Sequence, residues 1–263
     1  VIEAFSASIA VAPDNPLFAG HFPGHPILPG VAHLGLVMEA LAPFVGADAA
    51  LQGVRRLRLR RLVEPGDRLE LRAHRVGKSD VRCELARGAT TVSNGVLRLA
   101  DEPFPPSPPS GVASAPPRPG AHELSPPALP QQAPMRLPTE RLRYSERGLQ
   151  CDARVPSGCG FVSAGWAPAY SCIELAAQCA AAWEALGRAA AGGREGPRVG
   201  YLVGMRDVEL FARSVPADRT VTATITLEEA APPLSRYDIE VSIDSLVVVR
   251  GRIDTVLTDR AAL

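Results

Sequence analysis

His21 is set in the chain as a catalytic base would need to be. It stands in Gly20-His21-Phe22-Pro23-Gly24-His25-Pro26-Ile27-Leu28-Pro29-Gly30-Val31, a stretch stiffened by three prolines and closed by a Pro-Gly step. An apolar run of helical period follows. Such a stretch fixes an imidazole close to a helix N-terminus, where free backbone N–H groups can hold a developing oxyanion. Neutral imidazole takes a proton well near neutral pH. The plainer alternative is a rigid turn whose histidine is only hydrogen-bonded. A second set lies far along the chain. Glu174 and Gln178 are one helical turn apart and so share a face. A carboxyl among small apolar residues has its charged form disfavoured, which suits it to carry a proton. Its alternative is a structural carboxyl satisfied by the backbone.

Two similar blocks must position these groups. In the first, a strand near 2–11 leads to the His21 segment and a helix from about 30 to 45. Alternating segments follow at Leu51–Val63, Leu69–Val76, Val81–Ala86 and Val92–Leu99. In the second, a strand pair near 141–154 leads to a helix from about 169 to 188. Alternation resumes at Val199–Phe211, Thr220–Leu227, Tyr237–Ile243 and Val247–Leu257. The turn after the third strand also recurs, as Val63-Glu64-Pro65-Gly66-Asp67-Arg68 and Val215-Pro216-Ala217-Asp218-Arg219. The repeat argues for two copies of one α+β domain. The second helix, Ala169 to Trp183, is apolar or small nearly all round, as a buried helix must be. Between the blocks, residues 103–134 hold twelve prolines. That composition favours extended conformations over a packed core and reads as a linker. The domains are therefore 1–102, the linker 103–134, and 135–263.

Bulk properties exclude several classes. Twenty-eight basic residues balance twenty-eight acidic ones, which argues against a nucleic-acid binder. No apolar span is long enough for a membrane helix. Cys83, Cys151, Cys159, Cys172 and Cys179 form no C-x-x-C pair and no metal spacing with histidine, so no metal is expected. They read as free thiols in a reducing cytoplasm. The chain begins with Val and lacks a signal-peptide n-region; it reads as a piece of something longer.

Residues 18–31, F-A-G-H-F-P-G-H-P-I-L-P-G-V, resemble the 3-hydroxyacyl-acyl-carrier-protein dehydratases, whose signature is G-H-F-P followed by P-I-x-P-G-V. The resemblance implies the hotdog fold, a long helix wrapped by a curved antiparallel sheet. Two of them in one chain imply a double hotdog, a pseudo-dimer with a continuous sheet. In that family an acid lies fourteen residues after the histidine, often with a Gln four later, and serves the histidine of the other subunit. The acid position in the first half is Gly35 and the Gln position is Glu39. In the second half Glu174-Leu175-Ala176-Ala177-Gln178 matches E-x-x-x-Q, but the histidine position holds Cys159 or Gly160, and no histidine follows His122. The losses are reciprocal. One composite site remains, His21 with Glu174, and the opposite one, Cys159 facing Gly35 and Glu39, is degenerate. The halves also resemble the paired dehydratase-like proteins of aryl-polyene pathways and, joined, polyketide-synthase dehydratase domains.

The resemblance implies elimination of water from a 3-hydroxyacyl thioester held on the phosphopantetheine of an acyl carrier protein, without other cofactors. His21 takes the C2 proton and Glu174 protonates the C3 hydroxyl. The N–H of Gly30, beside Val31 at the helix start, holds the enolate-like oxygen, and Gln178 holds the departing water. Gly30 also lets the thioester approach closely. His25 reads as a segment-stiffening or surface residue and His33 as a helix residue near the pocket. Arg55, Arg56, Arg58, Arg60 and Arg61 read either as a solvated strand face or as a docking surface for the carrier protein or its phosphate. A non-catalytic scaffold that binds a carrier protein or partner enzyme is the alternative function. A different hotdog enzyme, such as a thioesterase, fits the G-H-F-P string less well.

Overall fold

The structure is a computed structural model that describes residues 4–46, 48–100, 104–105, 123–124, 127–190, 192 and 198–259. The first half contains β1 (Ala4–Ala10), a 3-10 turn (Pro16–Phe18), α1 (Ala32–Val45), β2 (Ala50–Leu59), β3 (Arg68–Arg75), β4 (Asp80–Arg87) and β5 (Thr90–Ala100). Then come β6 (Glu123–Leu124), β7 (Pro138–Ser145), β8 (Gly148–Ala153), β9 (Trp166–Pro168) and α2 (Ser171–Ala190). The chain closes with β10 (Arg198–Leu210), β11 (Ser214–Pro216), β12 (Val221–Ala231), β13 (Leu234–Ile243) and β14 (Leu246–Asp259).

Twelve strands form one antiparallel sheet in the order β1-β3-β4-β5-β2-β10-β14-β13-β12-β8-β7-β6. The first-half strands fill one side and the second-half strands the other. They meet where β2 pairs with β10, from Arg58 opposite Gly204 to Gly53 opposite Glu209. Alternation decides which face each residue takes. On β3, Leu69, Leu71 and Ala73 are buried while Arg68, Glu70 and Arg72 are exposed. Each half wraps its own helix, so the fold is α+β, a double hotdog. α2 buries Cys172, Ile173, Leu175, Ala176, Cys179, Ala180 and Ala182 against the sheet. Its small side chains let the backbone lie close to β8, β12 and β13.

Three differences from the sequence reading matter. β2 ends at Leu59 rather than running to Val63, because the N–H groups of Arg60 and Arg61 both turn to the Val92 carbonyl. The small β9–β11 ribbon has no alternating pattern long enough to be read from sequence. The third concerns the stretch read as linker. Residues 103, 106–122 and 125–126 lie outside the described residues, but the described parts of the stretch belong to the fold. Phe104 and Leu129 pack on the core, and Met135 and Leu137 just beyond are fully buried. Gln132 N–H donates to the Gly20 carbonyl at 2.8 Å, and Arg136 donates to the Pro127 carbonyl at 2.9 Å. Proline density argued against a packed core, yet these described parts pack, and Glu123–Leu124 pair with β7 as β6.

Candidate active site

The His21 loop is shaped by its glycine and its hydrogen bonds. Gly20 has φ 75, and a side chain there would strike the Gln132 carbonyl, so the position needs glycine twice over. Phe22 also takes a left-handed φ of 58. It stacks on Tyr201 at 5.6 Å and meets the His21 ring edge-on at 4.6 Å. The His21 Nδ1 lies 2.7 Å from the Ile27 carbonyl. A carbonyl only accepts, so Nδ1 carries the hydrogen and Nε2 is left as the basic nitrogen. Burial lowers the His21 pKa from its ordinary 6.5; Glu174 and the Ile27 carbonyl oppose that fall without reversing it. The imidazole is therefore neutral at neutral pH.

Nε2 faces Glu174 Oε1 at 3.8 Å, and the two residues are 4% and 3% exposed. They come from different halves, His21 from the loop before α1 and Glu174 from the first turn of α2. The gap exceeds a direct hydrogen bond. Glu174 Oε1 accepts instead from Gln178 Nε2 at 3.0 Å. The same Nε2 donates to the Met135 carbonyl at 2.9 Å, and Gln178 Oε1 accepts the Leu137 N–H at 3.0 Å. Both N–H groups of Gln178 are thus committed. This corrects its expected role: it orients Glu174 and ties 135–137 to α2, with no donor left for a departing water.

One cavity joins these groups. Its lining includes His21, Gly30, Glu174 and Gln178, with Leu28, Leu59, Val63, Ala177 and Ala181 as apolar walls. Its exposed rim carries Arg61, and half-buried Leu62, Tyr201 and Glu184 stand beside it. Gly30 is in the lining as expected, but a side chain there would first meet Leu59 Cδ1 at 2.6 Å; the glycine serves packing against that wall. Val31 is fully buried in the core, so only its backbone at the start of α1 could serve a ligand. His33 also lines the cavity. Its Nδ1 meets Ser93 Oγ at 3.0 Å, and burial lowers its pKa to about 4. His25 is exposed.

The opposite half-site differs from the expectation. The group against Gly35 is the Tyr170 hydroxyl, not the Cys159 thiol; a Cβ on Gly35 would lie 2.6 Å from it. Tyr170 packs edge-on against Phe161, and burial, then the Glu39 charge, push its pKa up to about 12. Glu39 itself is exposed. Cys159 is buried, with its sulfur 4.0 Å from Met135 Sδ. Burial raises its thiol pKa, and the Glu174 charge adds to that rise, so it is no thiolate nucleophile. Gly160 packs against Pro16 and Leu17. A tyrosine thus occupies the place of the missing acid.

All five arginines of β2 and the residues after it are exposed. Arg55 is not free of acids; it pairs with Asp80 at 2.6 Å. It is the extra residue of a bulge between Val54 and Arg56, which is why two successive arginines face solvent. Arg60 binds Asn94, and Arg61 stands on the cavity rim. Arg56 and Arg58 join Arg72, His74 and Arg82 on the outer sheet face. Gln131, Ala177, Ala181 and Tyr201 line the cavity without having been singled out in the sequence. A helical step from Glu174 would have found Ala177 and Ala181; nothing local marks Gln131.

Comparison with known proteins places both halves. The ApeI dehydratase family model matches residues 3–96, and the ApeP dehydratase family model matches residues 126–262. A 3-hydroxyacyl-[acyl-carrier-protein] dehydratase FabZ of Pelotomaculum thermopropionicum is 34% identical over 99 residues, covering 35% of this chain and 65% of that protein. FabZ of Thermus thermophilus is 43% identical over 104 residues, covering 31% of this chain and 70% of that protein. Across the first relatives the chain spans between 45% and 65% of their length. The dehydratase domain of PpsC from Mycobacterium tuberculosis superposes with a TM-score of 0.69 at 17% identity, over 97% of this chain and 94% of that one, a likeness of fold. With His21 supplied by the half that matches the ApeI model and Glu174 by the half that matches the ApeP model, whose match takes in more than half of the sequence, the chain belongs to the ApeP dehydratase family.

Proposed function

We infer that the chain removes water from 3-hydroxyacyl thioesters carried on the phosphopantetheine arm of an acyl carrier protein, giving trans-2-enoyl thioesters. The observation that carries this reading is the pair itself. A neutral imidazole and a carboxyl, both buried, face each other at 3.8 Å across one cavity. Two groups this close can address the adjacent C2 and C3 of one acyl chain lying across them.

In this reading His21 Nε2 removes a C2 proton. The thioester oxygen gains charge, and the N–H of Gly30 at the head of α1 is the donor for it. Glu174, held by Gln178, gives its proton to the C3 hydroxyl as the C3–O bond breaks. Water leaves, with His21 protonated and Glu174 ionised. Passage of the proton back from Nε2 to Oε1 restores both. The elimination has no net redox change and calls for no cofactor besides the pantetheine arm. Arg61 on the rim suits the phosphate of that arm, and the exposed arginines suit an acidic carrier. Five free cysteines are consistent with work in a reducing cytoplasm.

Incubation with 3-hydroxyacyl carrier protein, followed by mass measurement of the acyl group, tests the reading. Loss of one water supports it. No loss with any carrier-bound or free thioester would leave a carrier-binding scaffold in its place.

A further inference from the structure

Among the described residues that line the cavity, two carry a buried polar atom with no hydrogen-bond partner, the Gln131 Oε1 and the Tyr201 hydroxyl, and of these only the Gln131 oxygen is purely an acceptor. His21 is held by Ile27, His33 by Ser93, Glu174 by Gln178, and Gln178 by the 135–137 backbone. Gln131 is 6% exposed and its Oε1 has no hydrogen-bond partner among the described residues. It lines the same cavity as His21 and Glu174. Its position is fixed from outside the cavity: the neighbouring Gln132 donates its N–H to the carbonyl of Gly20, the residue just before His21. An acceptor buried and unpaired is costly unless a ligand completes it.

We propose that Gln131 Oε1 accepts the hydrogen of the substrate's C3 hydroxyl and keeps hold of the water as it leaves. This rests on the dehydratase reading and gives the leaving water a holder that Gln178, with both its N–H groups committed, does not provide. Between C1 and the acyl tail, a 3-hydroxyacyl thioester has a single O–H donor, the C3 hydroxyl. That hydroxyl must receive the Glu174 proton on its oxygen while its own hydrogen needs an acceptor. Gln131 aims the oxygen lone pair at Glu174 by binding the hydrogen. The water formed then carries one hydrogen from the substrate and one from Glu174. Gln131, just ahead of the second half, is on this account part of the substrate site.

The test compares two ligands that differ by one hydroxyl, a 3-hydroxyacyl thioester and its saturated acyl counterpart, in the turnover-blocked His21→Ala background. Gln131→Met keeps the side-chain length and removes the acceptor. It should weaken binding of the 3-hydroxyacyl ligand roughly 3- to 10-fold, the worth of one buried neutral hydrogen bond, and of the saturated ligand less than about 2-fold. In the active protein the same change should lower kcat/KM at least as much. Gln131→Asn, whose amide is withdrawn by one methylene, should lose the same preference and serves if Gln131→Met does not fold. Equal weakening of both ligands, or of neither, overturns the assignment. A native chain that dehydrates no 3-hydroxyacyl thioester overturns the function itself, whereas turnover with an unchanged hydroxyl preference in the variants overturns Gln131 alone.

Discussion

His21 and Glu174 each have a stated partner and a stated proton, which makes their loss readable. His21→Ala and Glu174→Gln should each lower turnover on the order of a hundred- to ten-thousand-fold, with circular dichroism unchanged. The double variant should be no worse than the poorer single one, since the two groups serve one step. Cys159→Ala should change turnover little, because its thiol is buried against Met135 and held protonated. A Cys159→Ala loss as deep as that of His21→Ala would move the live site. The pH response follows from burial. The lowered His21 pKa puts the acid limb of kcat/KM below pH 6.5, with a plateau through neutrality. His33 makes the same point for stability. The unfolded chain binds its proton near 6.5 and the folded chain only near about 4. Between those values the unfolded state holds more protons, so stability is full above 6.5 and falls with pH towards 4. The contribution is on the order of 3 kcal/mol. Urea midpoints at pH 7.5 and pH 5 should differ less in His33→Gln than in the native chain.

At the scale of elements, the two central helices have traded roles. α1 opens beside His21 but carries Gly35 where the family's acid would stand; α2 carries Glu174 and brings Tyr170 just ahead of it to fill that glycine's space. The contact predicts a coupled pair. Gly35→Ala should destabilise the fold by about 1–3 kcal/mol, since the new methyl meets the Tyr170 hydroxyl at 2.6 Å. Tyr170→Phe should relieve most of that cost in the double variant, which a double-mutant cycle of unfolding measures. Additive losses would mean that the two residues do not share this space. Gln178 is the comparable element for the live site. Gln178→Leu would leave the Leu137 N–H and Met135 carbonyl unpaired in the core as well as freeing Glu174. It should cost about 1–3 kcal/mol and also activity, whereas Glu174→Gln costs activity alone.

At the scale of the molecule, the proposed function gives two hotdogs a single site. The sheet is continuous through the β2–β10 ladder, and that ladder fixes the distance between a loop of one half and a helix of the other. Binding of an acyl thioester should therefore saturate at one per chain in calorimetry, and His21→Ala should abolish turnover without leaving a second active population. Two equivalents per chain would show that the half closed by Tyr170 is open after all.

The sequence by itself determined the repeat and the buried second helix, and a resemblance pointed to a reciprocal loss of base and acid. Each of these is local: a proline-stiffened His21 segment, a helix of small residues around Glu174, an alternation on every strand. A resemblance could then pair residues more than a hundred positions apart. Tertiary structure alone decided what lies between them. The Tyr170 hydroxyl at Gly35, the full commitment of Gln178 and the burial of Gln131 depend on contacts between segments distant in sequence. No periodicity encodes such contacts. The proline-rich stretch makes the difference plain. Its composition argued against a packed core, but the packing of Gln132 against the His21 loop is settled by the space the two joined halves leave, and only the folded chain defines that space.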